Sequence, residues 1–263
     1  RAAGGFSSWL PLVREASPTA LSWFGGGEHK IGAMELISTL GWGLGYFGMP
    51  HIIIRFMAIR SEAHITRARR IALTWTAFSL VAAVAVGLCG LARFGAGGIE
   101  DGEKVFIYLI QALFHPIPAG ICLAAILAAI MSTADSQLLV CTSVITEDIY
   151  RTFFKRDAGE TELIRIGRLS VIVIAAIACI IGLDPKTRVM GLVSYAWAGF
   201  GAAVGPAMLL RLYWRRMTAN AALLGILGGG LMVVVWKHTH GGIFDLYEIF
   251  PGFLFSTIII VIT

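Results

Sequence analysis

Charge is what this sequence has least of. Asp, Glu, Lys and Arg make up 14% of its 263 residues, where a soluble domain carries about 25%. With 57% hydrophobic residues and a mean hydropathy of +0.79, too little polar surface is left to cover a water-facing body. That excludes a soluble enzyme, a nucleic-acid-binding module and a disordered protein. The net charge of +5 does not restore nucleic acid as a partner. The basic residues sit in short clusters between apolar runs, which is the pattern of membrane topology. Cysteine is scarce too. Cys89, Cys122, Cys141 and Cys179 lie in separate apolar stretches with no C-x-x-C pair. Zinc and redox motifs are thereby excluded, and the thiols read as small membrane hydrophobes. A basic-then-apolar leader is also lacking. The sequence opens at Arg1 and stops at Thr263 inside the apolar run Phe253 to Ile262, which reads as an internal piece of a longer protein.

What the chain does have is apolar runs of membrane length. A spanning helix needs about 20 mostly apolar residues. Seven runs qualify, at roughly 32–58, 71–92, 119–147, 166–183, 190–213, 218–236 and 248–263. A shorter piece, 105–114, ends at His115-Pro116-Ile117-Pro118, where proline stops a helix. It reads as a helix on the outer surface. Segments 60–70, 151–168 and 211–216 are rich in Arg and Lys, and the loops between them are poorer. Basic-rich loops mark the cytoplasmic side, so segment 1–31, rich in Gly, Ser, Pro and Trp, reads as an external loop. The chain from 214 to 263 forms a separate terminal pair of spans. No internal repeat is visible.

The first span is the most unusual. Gly41-Trp-Gly-Leu-Gly-Tyr-Phe-Gly-Met-Pro-His51 contains G-x-G-x-x-G, but within a membrane run rather than between a strand and a helix, so it is not a dinucleotide fingerprint. Four glycines and a proline must weaken a helix. Exposed backbone is tolerated at membrane depth only where it lines a cavity, and broken helices build the solute sites of many secondary transporters. Trp42 and Tyr46, four apart, share a face and are suited to enclosing a small apolar-bodied solute beside the break at Pro50. The alternative is close helix packing through Gly41 and Gly45. In span 190–213, the glycines and Pro206 suggest a bendable helix or, equally, close packing.

The third span carries a hydroxyl face. Ala129, Ser132, Thr133 and Ser136 fall at helical offsets of 3, 4 and 7. Hydroxyl and carbonyl oxygens suit a hard cation, and this set makes half a coordination shell, the rest to come from a second element. Alternatively the hydroxyls bond back to the preceding turn. Asp135, an ionisable residue inside a span, is a functional candidate by default. Attracting a cation, pairing with another helix and relaying a proton all fit it. Residues 119–150 predict a helix of about 48 Å, longer than the bilayer.

Two segments carry a resemblance: Gly41 to His51 with Arg55-Phe-Met57, and Met131-Ser-Thr-Ala-Asp-Ser-Gln-Leu-Leu-Val140 with Ile145-Thr-Glu-Asp-Ile-Tyr150. Val193-Ser-Tyr-Ala-Trp-Ala-Gly-Phe-Gly-Ala202 and Leu246-Tyr-Glu-Ile-Phe-Pro-Gly252 extend it. Together they resemble the proline branch of the sodium:solute symporter family. The resemblance implies an all-α polytopic membrane protein with a five-plus-five inverted-repeat (LeuT-type) core. Residues 32–213 then correspond to core helices six to ten, the second repeat, and 214–263 to accessory helices. The first repeat, the N-terminal half, lies outside the sequence. The resemblance assigns sodium to Ala129, Ser132 and Thr133, with further ligands from core helix one, and the solute site to Trp42, Tyr46 and Pro50. Asp135 and Ser136 take a supporting place, although the residue matching Asp135 varies in the family. The implied activity is symport of L-proline with Na+ across a bacterial plasma (inner) membrane, with no organic cofactor, no nucleic acid partner and no enzymatic chemistry. The alternatives are symport of another amino acid, a betaine or a carboxylate, or a symporter-like sensor with an attached signalling domain.

Overall fold

In a computed structural model, residues 6–22, 30–183 and 189–263 are described, and among them every regular element is helical. The helices are α1 (Phe6–Ala16), α2 (Ala33–Gly45), α3 (Pro50–Met57), α4 (Ile65–Phe94), α5 (Val105–Leu113), α6 (Pro116–Ser143), α7 (Glu160–Gly182), α8 (Val189–Tyr213), α9 (Ala219–Lys237) and α10 (Ile249–Ile262). A π-helix, Val144–Phe154, continues α6. Five helices are long and apolar enough to cross a membrane, and α10 is a shorter apolar helix. Together with the broken pair α2 and α3, these follow the seven expected spans, and α5 follows the expected short helix. The chain is a polytopic helical membrane protein.

One element differs from expectation. Segment 1–31 carries helix α1, where a loop was predicted. Its Gly, Ser and Pro content masks an apolar face whose Val13 is fully buried, and α1 packs on α4.

The chain divides into two compact units, residues 1–31 with 59–133, and 32–58 with 134–263, the boundary falling inside α6. In the first unit α4 packs against α5, where a side chain at Gly90 would strike Val105, and Ile110 is fully buried. Gly95, at φ 77°, ends α4 as its N–H bonds Leu91 O at 2.9 Å. The apolar window of the helix ending at Phe94 buries none of its residues against the chain, as befits a helix whose solvent is lipid or other helices.

In the second unit α8, α9 and α10 pack mutually, and small residues set how closely. A Cβ on Gly225 would strike Ile260, on Gly252 it would lie 2.8 Å from Ala202 Cβ, and on Gly229 2.8 Å from Ser256 Cβ. Gly225 and Gly229 are thus packing residues. Without a hydrophobic force between helices in lipid, such close backbone approach supplies the dispersion that holds them. α8 runs unbroken through the buried Pro206; its Gly201 and Gly205 lie against neighbouring elements, while Gly191 and Gly199 have nothing within 4 Å of an added Cβ. Thr218 caps α9, its hydroxyl accepting the Ala221 N–H at 3.0 Å. Lys237 at the far end of α9 meets buried Glu248 at 3.2 Å, a charge contact without hydrogen-bond alignment.

The π-helix begins where the Thr146 hydroxyl donates back to Thr142 O at 2.9 Å and Ser143 O at 3.3 Å, a side-chain insertion of the kind that widens a helical ladder. It ends with Lys155 N–H on Tyr150 O at 3.0 Å. Glu162 of α7 secures this end. It accepts the Tyr150 hydroxyl and the Lys155 ammonium, both at 2.7 Å, and that bond holds the Lys155 ammonium above its ordinary pKa.

Candidate functional site

The break between α2 and α3 is built from backbone that cannot continue as a helix. Tyr46 N–H turns to Leu44 O, Phe47 N–H to the same carbonyl at 3.3 Å, and Gly48 N–H to Gly45 O at 3.0 Å. Met49 is extended (φ −78°, ψ 114°), and Pro50 restarts the chain at the first turn of α3, the one helical place where a missing N–H costs nothing. The turn lies tight on α8. A side chain at Gly48 would collide with the Phe200 carbonyl, and one at Gly201 would come 2.7 Å from Gly45 Cα. Gly45 itself faces the Trp197 indole and Gly41 faces Phe250. The helix thus breaks, and Gly41 and Gly45 admit close neighbours.

Trp42 O accepts a hydrogen bond from Trp197 Nε1 at 2.8 Å. The Trp42 ring stacks with Trp197 (centroids 5.4 Å, 15°) and with Tyr247 (6.2 Å, 14°), and Tyr46 meets Trp197 edge-on (4.9 Å, 87°). Such pairs add about 0.5–1.5 kcal/mol each beyond the area they bury. Tyr247 reaches two further elements. Its hydroxyl donates to Ser194 O at 2.8 Å, and its N–H donates to Ser38 Oγ at 3.1 Å. Burial pushes its phenol above the ordinary tyrosine range, so it stays a donor. Of the three predicted solute residues, Trp42 and Tyr46 meet on one indole. Trp42 has its ring engaged by two stacked aromatics, whereas Tyr46 remains 49% exposed. Pro50, half-buried, stands on the other side of the break. Trp197 and Tyr247 were not predicted as partners of this site. Both lie in the quoted aromatic motifs, but only the fold brings them to Trp42.

On α6, Ala129, Ser132 and Thr133 are exposed and Ser136 is half-buried. The Thr133 hydroxyl donates to Ala129 O at 3.1 Å, which is the back-bonded arrangement. The same two groups are the predicted ion ligands. Asp135 is exposed and makes no ion pair with a described residue. Among the described residues no group of three or more His, Cys, Asp or Glu side chains converges.

Apolar helices of membrane length, one of them broken at a glycine-lined aromatic site, define a polytopic protein with the build of a secondary transporter. The sequence profile of the sodium:solute symporter family matches residues 1–229. The chain belongs to that family. It is 49% identical to the sodium/proline symporter of Salmonella typhimurium over 98% of its own length and 52% of the relative's. The Escherichia coli sodium/proline symporter gives the same identity and coverage, and the osmoregulated proline transporter of Bacillus subtilis is 46% identical over 97% of the chain and 52% of the relative. The chain thus spans about half the length of these relatives.

Proposed function

We propose that the chain belongs to a sodium-coupled symporter of L-proline in a bacterial plasma membrane. The observation that carries this reading is the near-half identity, over almost the whole chain, to proteins named sodium/proline symporter. That alignment includes both the broken aromatic helix and the hydroxyl face. Residues 32–213 serve as core helices six to ten and 214–263 as accessory helices. The rest of the ion shell comes from a part of the transporter outside these residues.

In this reading Tyr46, with Trp42 and Pro50, encloses the pyrrolidine ring of the solute, and the backbone freed at the break faces its polar groups. Sodium takes Ala129 O and the hydroxyls of Ser132 and Thr133. To admit it, the Thr133 proton leaves Ala129 O, so one rotation of a hydroxyl converts a closed turn into two ligands. Asp135 and Ser136 support the site from the next turn. Sodium that favours the outward-open state raises affinity for proline, and proline raises affinity for sodium by the same factor. No covalent step is involved.

The test is radiolabelled L-proline uptake by the full-length transporter in proteoliposomes, with and without a sodium gradient, beside a Ser132→Ala/Thr133→Ala double variant. Sodium-dependent uptake that collapses in the variant supports substrate and ion site together. Folded protein without sodium-dependent proline uptake refutes the substrate, and an unaffected variant refutes the ion site.

A further inference from the structure

The break in α2 leaves a backbone acceptor that must be satisfied. In an uninterrupted helix Trp42 O would take the N–H four residues on, but Tyr46 N–H has turned to Leu44 O. An orphan carbonyl at membrane depth is costly. The group that answers it is an indole from α8, 155 residues away in sequence, at 2.8 Å. The same indole fills the space left by Gly45, stacks on Trp42 and receives the edge of Tyr46. One side chain therefore bonds the last intact turn before the break and touches both aromatic residues of the solute site.

We infer that Trp197 is the positioning residue of the solute site, holding the backbone break of α2 and the orientation of Tyr46 through its indole N–H and ring. The inference rests on the reading that this broken helix receives the solute. Trp197 acts through Trp42 and Tyr46 and needs no contact with the solute. Its hydrogen bond is directional and joins two helices, so it fixes where the break falls, which ring packing alone does not.

The experiment compares Trp197→Phe, which keeps an aromatic ring but removes the N–H, with Tyr247→Phe. The second variant cuts a hydrogen bond of equal length, 2.8 Å to Ser194 O, in the same cluster but leaves Trp42 O bonded. Both are made in the full-length transporter, and two quantities are read. The first is amide hydrogen exchange of the peptide covering 42–49. Trp197→Phe should speed it about five- to tenfold, the range that loss of one hydrogen bond gives, while α9 is unchanged. The second is proline uptake. Trp197→Phe should raise KM by about the same factor with Vmax changed less than about twofold, as expected when binding geometry rather than turnover is lost. Tyr247→Phe, which leaves Trp42 O bonded, should move both readings clearly less than Trp197→Phe does. Unchanged exchange in Trp197→Phe overturns the inference. So does an unmoved KM with reduced Vmax and yield, the mark of a merely structural tryptophan, and so does an equal effect of Tyr247→Phe, the mark of general loosening. If wild type takes up no proline in a sodium gradient, the proposed function fails by itself. Exchange at 42–49 then decides the positioning role alone.

Discussion

Replacing Gly48 by alanine tests the α2–α8 contact directly. The new methyl group would collide with the Phe200 carbonyl oxygen and come within 2.6 Å of its carbon and 2.7 Å of Gly201 Cα. All three are backbone atoms, so no rotamer change relieves them and the helices must part. Separation by a fraction of an ångström already forfeits a quarter to a half of the dispersion between the atoms involved. Overpacking of this kind costs about 1–3 kcal/mol, and the rigid partner puts Gly48→Ala at the upper end. With each kcal/mol worth roughly 2–4 °C in a domain of 150–250 residues, the loss is about 4–12 °C in Tm. Gly43→Ala is the matched control. It lies inside α2, just before the break that holds Gly48, has nothing within 4 Å of its new methyl, and gains up to about 1 kcal/mol of helix propensity. Heating detergent-solubilised aliquots and measuring the surviving monodisperse fraction reads both. Gly48→Ala melting with wild type, or Gly43→Ala falling as far as Gly48→Ala, would refute the packing argument.

On the proposed ion site, Thr133→Ala would remove one charge-directed ligand worth about 1.5–3 kcal/mol, so the sodium concentration for half-maximal uptake should rise roughly 10–100-fold; an unmoved value counts against the ion site. Lys237→Ala leaves the buried Glu248 carboxylate without its cation. Because the lysine is half exposed, the cost is held to about 1–2 kcal/mol, below the range for a fully buried pair, and the same melting assay should show Glu248→Gln in the Lys237→Ala background recovering part of it. Glu162→Ala frees Lys155 and Tyr150 together, and should hasten tryptic cleavage after Lys155 and Arg156 about two- to fivefold, the small effect expected of an exposed pair. In wild type that tie persists through neutral pH. A lysine raised in the folded state contributes stability fully below its unfolded value of about 10.4 and loses it only as pH climbs through the raised one. Loss of tryptic protection near neutrality would contradict that ordering.

The membrane spans could be read from sequence because lipid demands long apolar runs and basic loops, and both are local signals. The break at Gly45 to Pro50 could be read for the same reason: glycine and proline act on their own backbone. Helix α1 was hidden by a loop-like composition, since its burial depends on α4, dozens of residues away. The π-helix gave no sign either, because a change from i−4 to i−5 bonding alters no residue type. The face of Ala129, Ser132 and Thr133 followed from helical periodicity, but whether Thr133 bonds its own turn is a rotamer choice that periodicity does not make. Trp42 and Tyr46 were found by spacing. Their partners Trp197 and Tyr247 lie far along the chain, where no local pattern points from one to the other.

The distance between Trp42 and its indole partner also sets an order of events during synthesis. Trp197 is made 155 residues after Trp42, and Tyr247, whose N–H bonds Ser38, comes 209 residues after that serine. At about 5–20 residues per second, α2 exists for roughly 8–30 s before Trp197 has been polymerised at all. Through that interval the Trp42 carbonyl must rely on water or on alternative local bonds. The end of α2 is therefore fixed late, when α8 and then Tyr247 arrive, and nascent chains cut short before residue 197 should hold α2 in the membrane with its break present but not yet locked in place.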